Sequence, residues 1–386
     1  SLRLAYVAAN GINPESYHAE LGARDFKLTR GERAHPVARP VEGYLQATVD
    51  LTRNVAYLRS LRLTAHSKGV ADRTLVVSGT LADFAHPRWR TKLQGDLDLG
   101  VLDSVTGYPD TPEGVAHLDL TGEGHGGLFR GDGTVHADGA AYVGTGVNAR
   151  GITLDAHVHA DAEQLLITQV VVRLRDGGQI SGDVLLNHWL PPLPAGDMMK
   201  AAPPETKKKG GFFHRKVLTP VVVQSAGPVV NRIPVNGKVD ALFSDVTVDT
   251  ILDIVSQPPF QRLGIDARLN GPAKAIWSDG ETSTLAVSAT LNMRPSAKPR
   301  AGEVPANGIV DGTYTQSNGA VDLRQLELTL PSSHVEAHGH LGAYPLTSSS
   351  AINVDVESHD LREFDAVLRD LGLERNGKSG TAALPV

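Results

Sequence analysis

Strict alternation of apolar and polar residues is the feature of this sequence that most limits its fold. Between positions 152 and 160 every even position is apolar, whereas Thr153, Asp155, His157 and His159 occupy the odd positions. Because successive side chains of a β-strand point to opposite faces of a sheet, this pattern predicts a strand with one apolar and one polar face. Such strands form antiparallel sheets with a single apolar surface.

The same alternation recurs along the chain, in runs at Leu93/Leu97/Leu99, Leu118/Leu120, Leu285/Val287/Ala289/Leu291, Leu326/Leu328/Leu330 and Ile352/Val354/Val356. With 40 Gly and 23 Pro, the composition favours short strands joined by turns. Six dipeptides are typical of tight hairpin turns: Asp132-Gly133, Asp138-Gly139, Asp176-Gly177, Asp279-Gly280, Asn307-Gly308 and Asn318-Gly319. These patterns predict a meander of antiparallel strands.

A three-strand unit occurs three times, with first strands that open at Gly43, Gly151 and Gly308. Each copy continues into a second strand, at 61–63, 170–174 and 326–330, and a third, at 78–80, 181–183 and 338–340. Short stretches with helical spacing follow the copies, at Leu102/Val105, Val248/Ile251/Leu252/Val255 and Leu361/Phe364/Val367/Leu368/Leu371. We expect these short helices to lie against the sheet, because helices of this length are unstable alone in water.

One segment interrupts the repeat pattern and is rich in Pro and Lys. It includes the run Lys207-Lys208-Lys209-Gly210-Gly211-Phe212-Phe213, which we interpret as a solvated loop, with contact to an anionic membrane surface as the alternative. We therefore divide the chain into a first repeat region at 1–187, a Pro/Lys-rich loop or insertion at 188–234, and a second repeat region at 235–386.

No catalytic or cofactor motif stands out, so we expect a protein that is not an enzyme and has no cofactor or metal. Gly122, Gly124 and Gly127 match a dinucleotide-binding pattern, but no helical pattern follows them, which favours a Gly-rich β turn. His157 and His159 share one strand face, and we favour a solvated polar face over a metal site. The net charge of −6 argues against a nucleic-acid partner.

Several soft sequence patterns resemble those of the AsmA/TamB-like family. They are the stretch 235–241 that leads into a short helix, 263–267 before Asn270-Gly271, the strand pair 326–328 and 335–339, and the closing stretches 360–364 and 377–380. The resemblance covers most of the chain and is strongest from 235 to 386. Similar proteins have an N-terminal inner-membrane anchor and a distinctive C-terminal domain. Neither is found in this sequence, which starts at Ser1, so we expect an internal piece of a longer protein.

The resemblance implies a mainly β fold, in which an elongated, repetitive antiparallel sheet curls into a trough (a β-taco) with a few short helices. It implies a periplasmic location, with the full-length protein anchored in the inner membrane. The implied roles are phospholipid transfer between the inner and outer membranes and outer-membrane protein assembly. The implied partners are phospholipid acyl chains, the two membranes through regions outside this sequence, and an outer-membrane assembly protein.

The apolar positions of the copies are the predicted lining of a lipid groove: Ile152, Leu154, Val158, Val170, Val172, Leu174, Leu285, Val287, Leu326, Leu328, Leu330, Ile352, Val354 and Val356. Alternation alone does not distinguish an open groove from a filled core. A structural or adhesive β-repeat protein with a closed core is therefore the alternative. A β-helical carbohydrate enzyme is a third hypothesis, but the copies start 108 and 157 residues apart, which does not fit regular rungs.

Overall fold

The computed structural model describes residues 1–10, 14–28, 41–67, 70–100, 113–144, 147–189, 236–255, 264–278, 282–299, 302–342 and 349–365. The Lys207–Phe213 run, the Asp279-Gly280 dipeptide, and the helical positions Leu102, Val105, Val367, Leu368 and Leu371 lie outside these ranges. Of the predicted 188–234 insertion, His188 and Trp189 alone are described.

Twenty strands account for most of the described residues. They are β1 Leu2–Val7, β2 Ser16–Leu28, β3 Val41–Leu51, β4 Val55–Ser67, β5 Val70–Ala82, β6 Arg88–Asp98, β7 Glu113–His125, β8 Leu128–Gly144, β9 Val147–Asp161, β10 Gln164–Arg173, β11 Gln179–Asn187, β12 Asn236–Thr247, β13 Ile265–Asp266, β14 Arg268–Trp277, β15 Ala286–Arg294, β16 Val304–Pro305, β17 Asn307–Thr315, β18 Ala320–Thr329, β19 Ser333–Leu341 and β20 Ala351–Ser358. The helix α1 spans Val248–Val255, and 3-10 turns span Thr282–Thr284 and Leu361–Phe364.

Eighteen of these strands form one sheet, in which each strand pairs antiparallel with the next along the chain. The meander continues from β11 through β12, β14, β15, β17, β18 and β19 to β20. The two short strands β13 and β16 form a separate parallel pair. Among the described residues no pairing joins β1 to β20, so the sheet curls without closing into a barrel. The predicted fold class, a mainly β trough with a few short helices, is confirmed.

Each predicted three-strand copy is a set of consecutive antiparallel strands. The sets are β3–β5, β9–β11 and β17–β19. The sheet also continues across the predicted insertion, because β11 pairs along its full length with β12, from Asn187↔Asn236 to Gln179↔Ser244. The two predicted repeat regions therefore belong to the same sheet.

Bulges recur on strands that run in one direction across the sheet. The extra residues occur on β2, β4, β8, β10, β12 and β18, and two further bulges lie on β5 and β9. Four of the bulges contain a residue with positive φ, namely Gly139, Gly151, Gln169 and Asp245. Because a bulge bends its strand and increases the local twist, this recurrence is a physical reason for the curl of the sheet.

Three of the six predicted hairpin dipeptides are not turns, and this prediction is wrong for them. Asp132-Gly133 lies in the middle of β8, Asp138-Gly139 forms its bulge, and Asn307-Gly308 opens β17. At Gly133 the neighbouring strand explains the residue, since a Cβ would lie 2.1 Å from the carbonyl oxygen of Asp119. The turns at Asp176-Gly177 and Asn318-Gly319 are confirmed.

The sheet has two long edges, which we call the first and second rims. The first rim carries the short connections β3–β4, β5–β6, β7–β8 and β9–β10. The second rim carries α1, which packs against β9 and β12, as predicted from helical spacing at 248–255. The hydrophobic core lies near this rim and consists of Ala267, Leu269, Leu291, Met293, Ala306 and Leu330, with Val248, Ile251 and Phe364 packed against it.

Candidate functional site

A continuous row of apolar residues crosses seventeen strands of the sheet, and we call it the central row. Cross-strand pairing connects its members one by one. They are Leu2, Leu21, Ala47, Leu61, Val77, Leu93, Leu120, Gly133, Val158, Ile167, Val184, Val239, Ala275, Val287, Tyr314, Val321 and Leu341. At about 4.8 Å per strand, sixteen steps give a length of about 77 Å. The face that carries this row is the inner face, and the opposite face is the outer face.

Rows on both sides widen the apolar band. Toward the first rim lie Leu4, Ala19, Val49, Leu58, Gly79, Thr91, Gly122, Gly131, Ala160, Leu165, Leu186, Gly237 and Trp277. Toward the second rim lie Ala23, Leu45, Leu63, Leu75, Gly95, Leu118, Val135, Ala156, Val170, Gly182, Ala241, Ala273, Ala289, Gly312, Leu323, Gly339 and Ile352. Neighbouring rows are two residues apart along a strand, so the two outermost rows are separated by four residues, or about 14 Å. Thr91 and Tyr314 carry the two hydroxyl groups of these three rows, and no charged residue occurs in them.

The predicted groove-lining residues fall into adjacent rows of the inner face. Val158 and Val287 are in the central row, Val170 and Ile352 are in the row next to it, and Leu154, Val172, Leu326 and Val354 are in the following row. Leu328 and Val356 lie one row further toward the second rim, and Ile152 pairs with Ala140. Leu174 and Leu330 directly follow β10 and β18, and Leu285 precedes β15.

Exposure of the inner face varies along the sheet. At the β1 end, Leu2 and Leu21 are 63% and 45% exposed. Most central-row side chains between the ends are half-buried. Near the second rim of β14–β18 the same face is a closed core, where Leu291 and Met293 are buried. An open apolar surface and a filled core are therefore both present on one face.

Aromatic side chains gather at the first rim. Trp89 and Phe129 lie on the inner face at the rim ends of β6 and β8, and Trp277 occupies the corresponding end of β14. The Trp189 ring packs edge-on against Phe129 at 6.4 Å between centroids, and its Nε1–H donates to the Asp161 carbonyl at 2.8 Å. Tryptophan combines apolar area with a polar tip, which suits a boundary between an oily surface and water. These aromatic residues could not be grouped from the sequence, because they are far apart along the chain.

The outer face is polar and carries cross-strand pairs of histidine and aspartate. His18 Nδ1 lies 2.6 Å from Asp50 Oδ1, and His136 Nδ1 lies 2.6 Å from Asp155 Oδ1. Similar contacts join His159 to Asp132, His117 to Asp96 and His340 to Asp322. Hydrogen bonding to Asp50, and then to Glu20, raises the pKa of His18, and Asp155 followed by Asp138 raises the pKa of His136.

The pKa values of Asp50 and Asp155 shift in the opposite direction. The hydrogen bond from His18, followed by that from Arg59, lowers the pKa of Asp50. Arg173, followed by His136, lowers the pKa of Asp155. The pairs His18–Asp50 and His136–Asp155 thus favour their charged forms, as expected for hydrogen-bonded opposite charges. The side chains of the pairs are partly exposed, so the pairs stabilise the sheet only weakly.

The glycine motif and the histidines that were considered as cofactor or metal sites are part of the sheet and its turns. Gly122 and Gly124 lie within β7, and Gly127 lies in its two-residue turn to β8, which confirms the prediction of a glycine-rich β turn. His159 contacts Asp132 on the neighbouring strand. No cluster of three or more metal-ligating side chains occurs in the described ranges. Across the same ranges, no helix is both long and apolar enough to cross a membrane.

Comparison of the chain with protein-family models, curated proteins and solved structures found no match in any of the three. The structure itself defines the architecture, which is a long, open antiparallel meander with one apolar face.

Proposed function

We propose that this protein is a non-enzymatic segment of the bacterial cell envelope. Its inner face serves as a hydrophobic groove for phospholipid acyl chains that move between the inner and outer membranes. In this proposal the protein is periplasmic, is anchored in the inner membrane through regions outside this sequence, and supports outer-membrane protein assembly. The observation that carries the proposal is the central row, which continues through seventeen strands without a charged residue.

The central row must be long and continuous, because the main barrier to lipid transfer is the exposure of acyl chains to water. An acyl chain with about 14 methylenes gains roughly 11 kcal/mol when it leaves water, at about 0.8 kcal/mol per CH₂. A surface that is apolar at every step lets a chain move without returning to water, whereas a single unpaired charge on it would be costly to cover. The lining favours sliding, since it consists of small and aliphatic side chains that make weak, similar contacts.

The one hydroxyl of the central row is also directed away from the apolar path. Tyr314 Oη donates a hydrogen bond to Gln316 at the β17–β18 turn. The row therefore presents the ring of Tyr314 without an unsatisfied polar atom, which is compatible with an apolar occupant.

The closed core favours a second candidate function, a structural or adhesive β-repeat. Leu291, Met293 and Val246 are buried near the second rim, as in an ordinary protein interior. If the whole inner face were filled in this way, the sheet would act as a rigid spacer. The exposure of Leu2 and Leu4 at the β1 end favours the groove.

Neighbouring valines on opposite faces allow a matched test. Val77 and Val172 point to the inner face, whereas Val76 and Val171 occupy the outer face of the same strands. The protein, purified from bacterial membranes in mild detergent and exchanged out of it, would be analysed by native mass spectrometry. We expect phospholipid to remain bound to the wild type and to V76D/V171D, and to be lost from folded V77D/V172D.

Two outcomes would contradict the groove. A lipid-free wild type, together with global unfolding of V77D/V172D, would indicate a closed core and support the structural repeat. Equal lipid loss from both double variants would show that the bound lipid does not depend on the inner face. Circular dichroism of each variant establishes whether the sheet is intact.

A further inference from the structure

An open depression of about 690 Å³ lies at the first rim, on the outer face of β6, β7 and β8. Its lining includes Arg88, Arg90, Arg130 and His125, together with the carboxylate of Glu123. Cross-strand pairing accounts for this arrangement, since Glu123 lies opposite both Arg90 and Arg130, and His125 lies opposite Arg88. Three arginines and one glutamate thus line the depression.

The arginines are only partly neutralised. Arg90 Nε lies 3.2 Å from Glu123 Oε2, and Arg130 Nε lies 3.4 Å from Asp132 Oδ2, both at highly exposed positions. Within the described ranges, Arg88 forms no ion pair. Exposed ion pairs are weak, so the guanidinium groups stay available to another anion. Arginine is well suited to phosphate, because its planar fork can donate two parallel hydrogen bonds.

The inner face of the same strands is aromatic at this rim. Trp89 lies between Arg88 and Arg90 in sequence, and Phe129 precedes Arg130, so apolar and cationic side chains alternate across the edge of the sheet. The edge itself is the two-residue turn Gly126-Gly127, where a side chain would find nothing within 4 Å. Neither residue of this turn carries a side chain that could separate the two faces.

We propose that this depression binds the phosphate group of a phospholipid whose acyl chains lie on the inner face. The inference rests on the proposed groove function and adds a position for the head group. Chains that contact Trp89 and Phe129 leave the connected phosphate at the Gly126-Gly127 edge, within reach of the arginines. A free phosphate monoester presents the same chemistry, and the test separates the two sources.

Three soluble probes separate phosphate from chains. They are dihexanoylphosphatidylglycerol below its micelle concentration, the chain-matched dihexanoylglycerol without phosphate, and glycerol 3-phosphate without chains. Binding to the folded protein would be followed by calorimetry and by tryptophan fluorescence. We expect the wild type to prefer the phospholipid over dihexanoylglycerol by about tenfold, the scale of a few exposed charge-assisted contacts.

The variant R88Q/R90Q/R130Q should reduce that preference to near one. The control R24Q/R62Q/R294Q removes the same charge from exposed positions elsewhere in the sheet and should keep the preference. This control separates a local site from a general effect of net charge.

Other outcomes would overturn the head-group site, the groove or both. Equal binding of both lipids to the wild type, or an unchanged preference in R88Q/R90Q/R130Q, overturns the head-group site while the groove stands. Tight binding of glycerol 3-phosphate alone, with the same arginine dependence, indicates a free-phosphate site. If neither lipid binds to the wild type, both this inference and the proposed groove fail.

Discussion

The indole ring of Trp89 lies so close over Gly124 that a Cβ on this glycine would be 2.6 Å from the ring. Trp277 covers Gly237 in the same way, with the corresponding distance at 2.0 Å. Both tryptophans lie on the inner face near the first rim, each across a glycine of the neighbouring strand. The glycines let the large rings lie flat on the sheet, which keeps the inner face smooth where a groove would open.

The first prediction follows from this contact. Gly124→Ala should destabilise the protein by about 1–3 kcal/mol, because the new methyl group must displace the Trp89 ring. Gly131 is a matched control on the next strand, since its Cβ would meet its nearest atom at 3.6 Å. Chemical denaturation monitored by circular dichroism should show a loss for Gly124→Ala and little change or a small gain for Gly131→Ala. Equal effects of the two changes would contradict the close packing of the ring.

The second prediction concerns the difference between core and open surface on the inner face. Leu291→Ala should lower the free energy of unfolding by about 2–5 kcal/mol, because the side chain is buried in the core at the second rim. Leu4→Ala should change it by less than about 0.5 kcal/mol, because Leu4 is 69% exposed. Urea titration of both variants measures the difference. A large loss for Leu4→Ala would indicate that the β1 end is also covered.

The third prediction concerns the bulge on β10. Gln169 has φ of 52°, a left-handed conformation that costs a residue with a side chain about 1–2 kcal/mol. Gln169→Gly removes this cost but raises the conformational entropy of the unfolded chain. We therefore expect stability to be unchanged or higher by up to about 1 kcal/mol. Thr168→Gly, at the neighbouring position without a positive φ, should lower stability by a similar amount. A clear loss for Gln169→Gly, with no loss for Thr168→Gly, would contradict the assigned bulge.

The fourth prediction is a pH dependence from the outer face. The pKa values of His18 and His136 are raised in the folded protein. The two histidines therefore stabilise the fold fully below about pH 6.5, and this stabilisation is lost as pH rises through the raised values. The pKa values of Asp50 and Asp155 are lowered, so their contribution is present above about pH 4 and is lost as pH falls through the lowered values. We expect these pairs to stabilise the protein most between those limits.

Thermal unfolding at a series of pH values tests this expectation. The melting temperature of the wild type should fall more steeply between pH 6 and 8 than that of H18Q/H136Q. High salt should reduce the difference, because exposed charge pairs are screened. Identical slopes for the two proteins at low salt would show that the histidine pairs contribute nothing to the pH dependence.

Much of the fold could be predicted because alternation is a local property of each strand. Leu154 and Val158 differ from Asp155 and His157 in polarity, and this is enough to assign their faces. The repeat of three strands and the helix at 248–255 were predicted from equally local spacing, and the structure confirms both. The dipeptides Asp132-Gly133 and Asn307-Gly308 were wrongly predicted as turns, because close approach of a neighbouring strand selects glycine as strongly as a turn does.

Local sequence therefore established that this chain forms strands with one oily and one wet face. Only the tertiary structure could show that the oily faces join. Ile167 and Val170 differ in parity, yet the bulge between them keeps both on the inner face, and pairing then links Ile167 to Val158 and Val184. The encounter of Trp189 with Phe129 depends in the same way on the curl and register of the whole sheet. Parity is set within a strand, whereas register, bulges and curl arise between strands, where hydrogen bonding and packing choose among arrangements that the local pattern leaves equal.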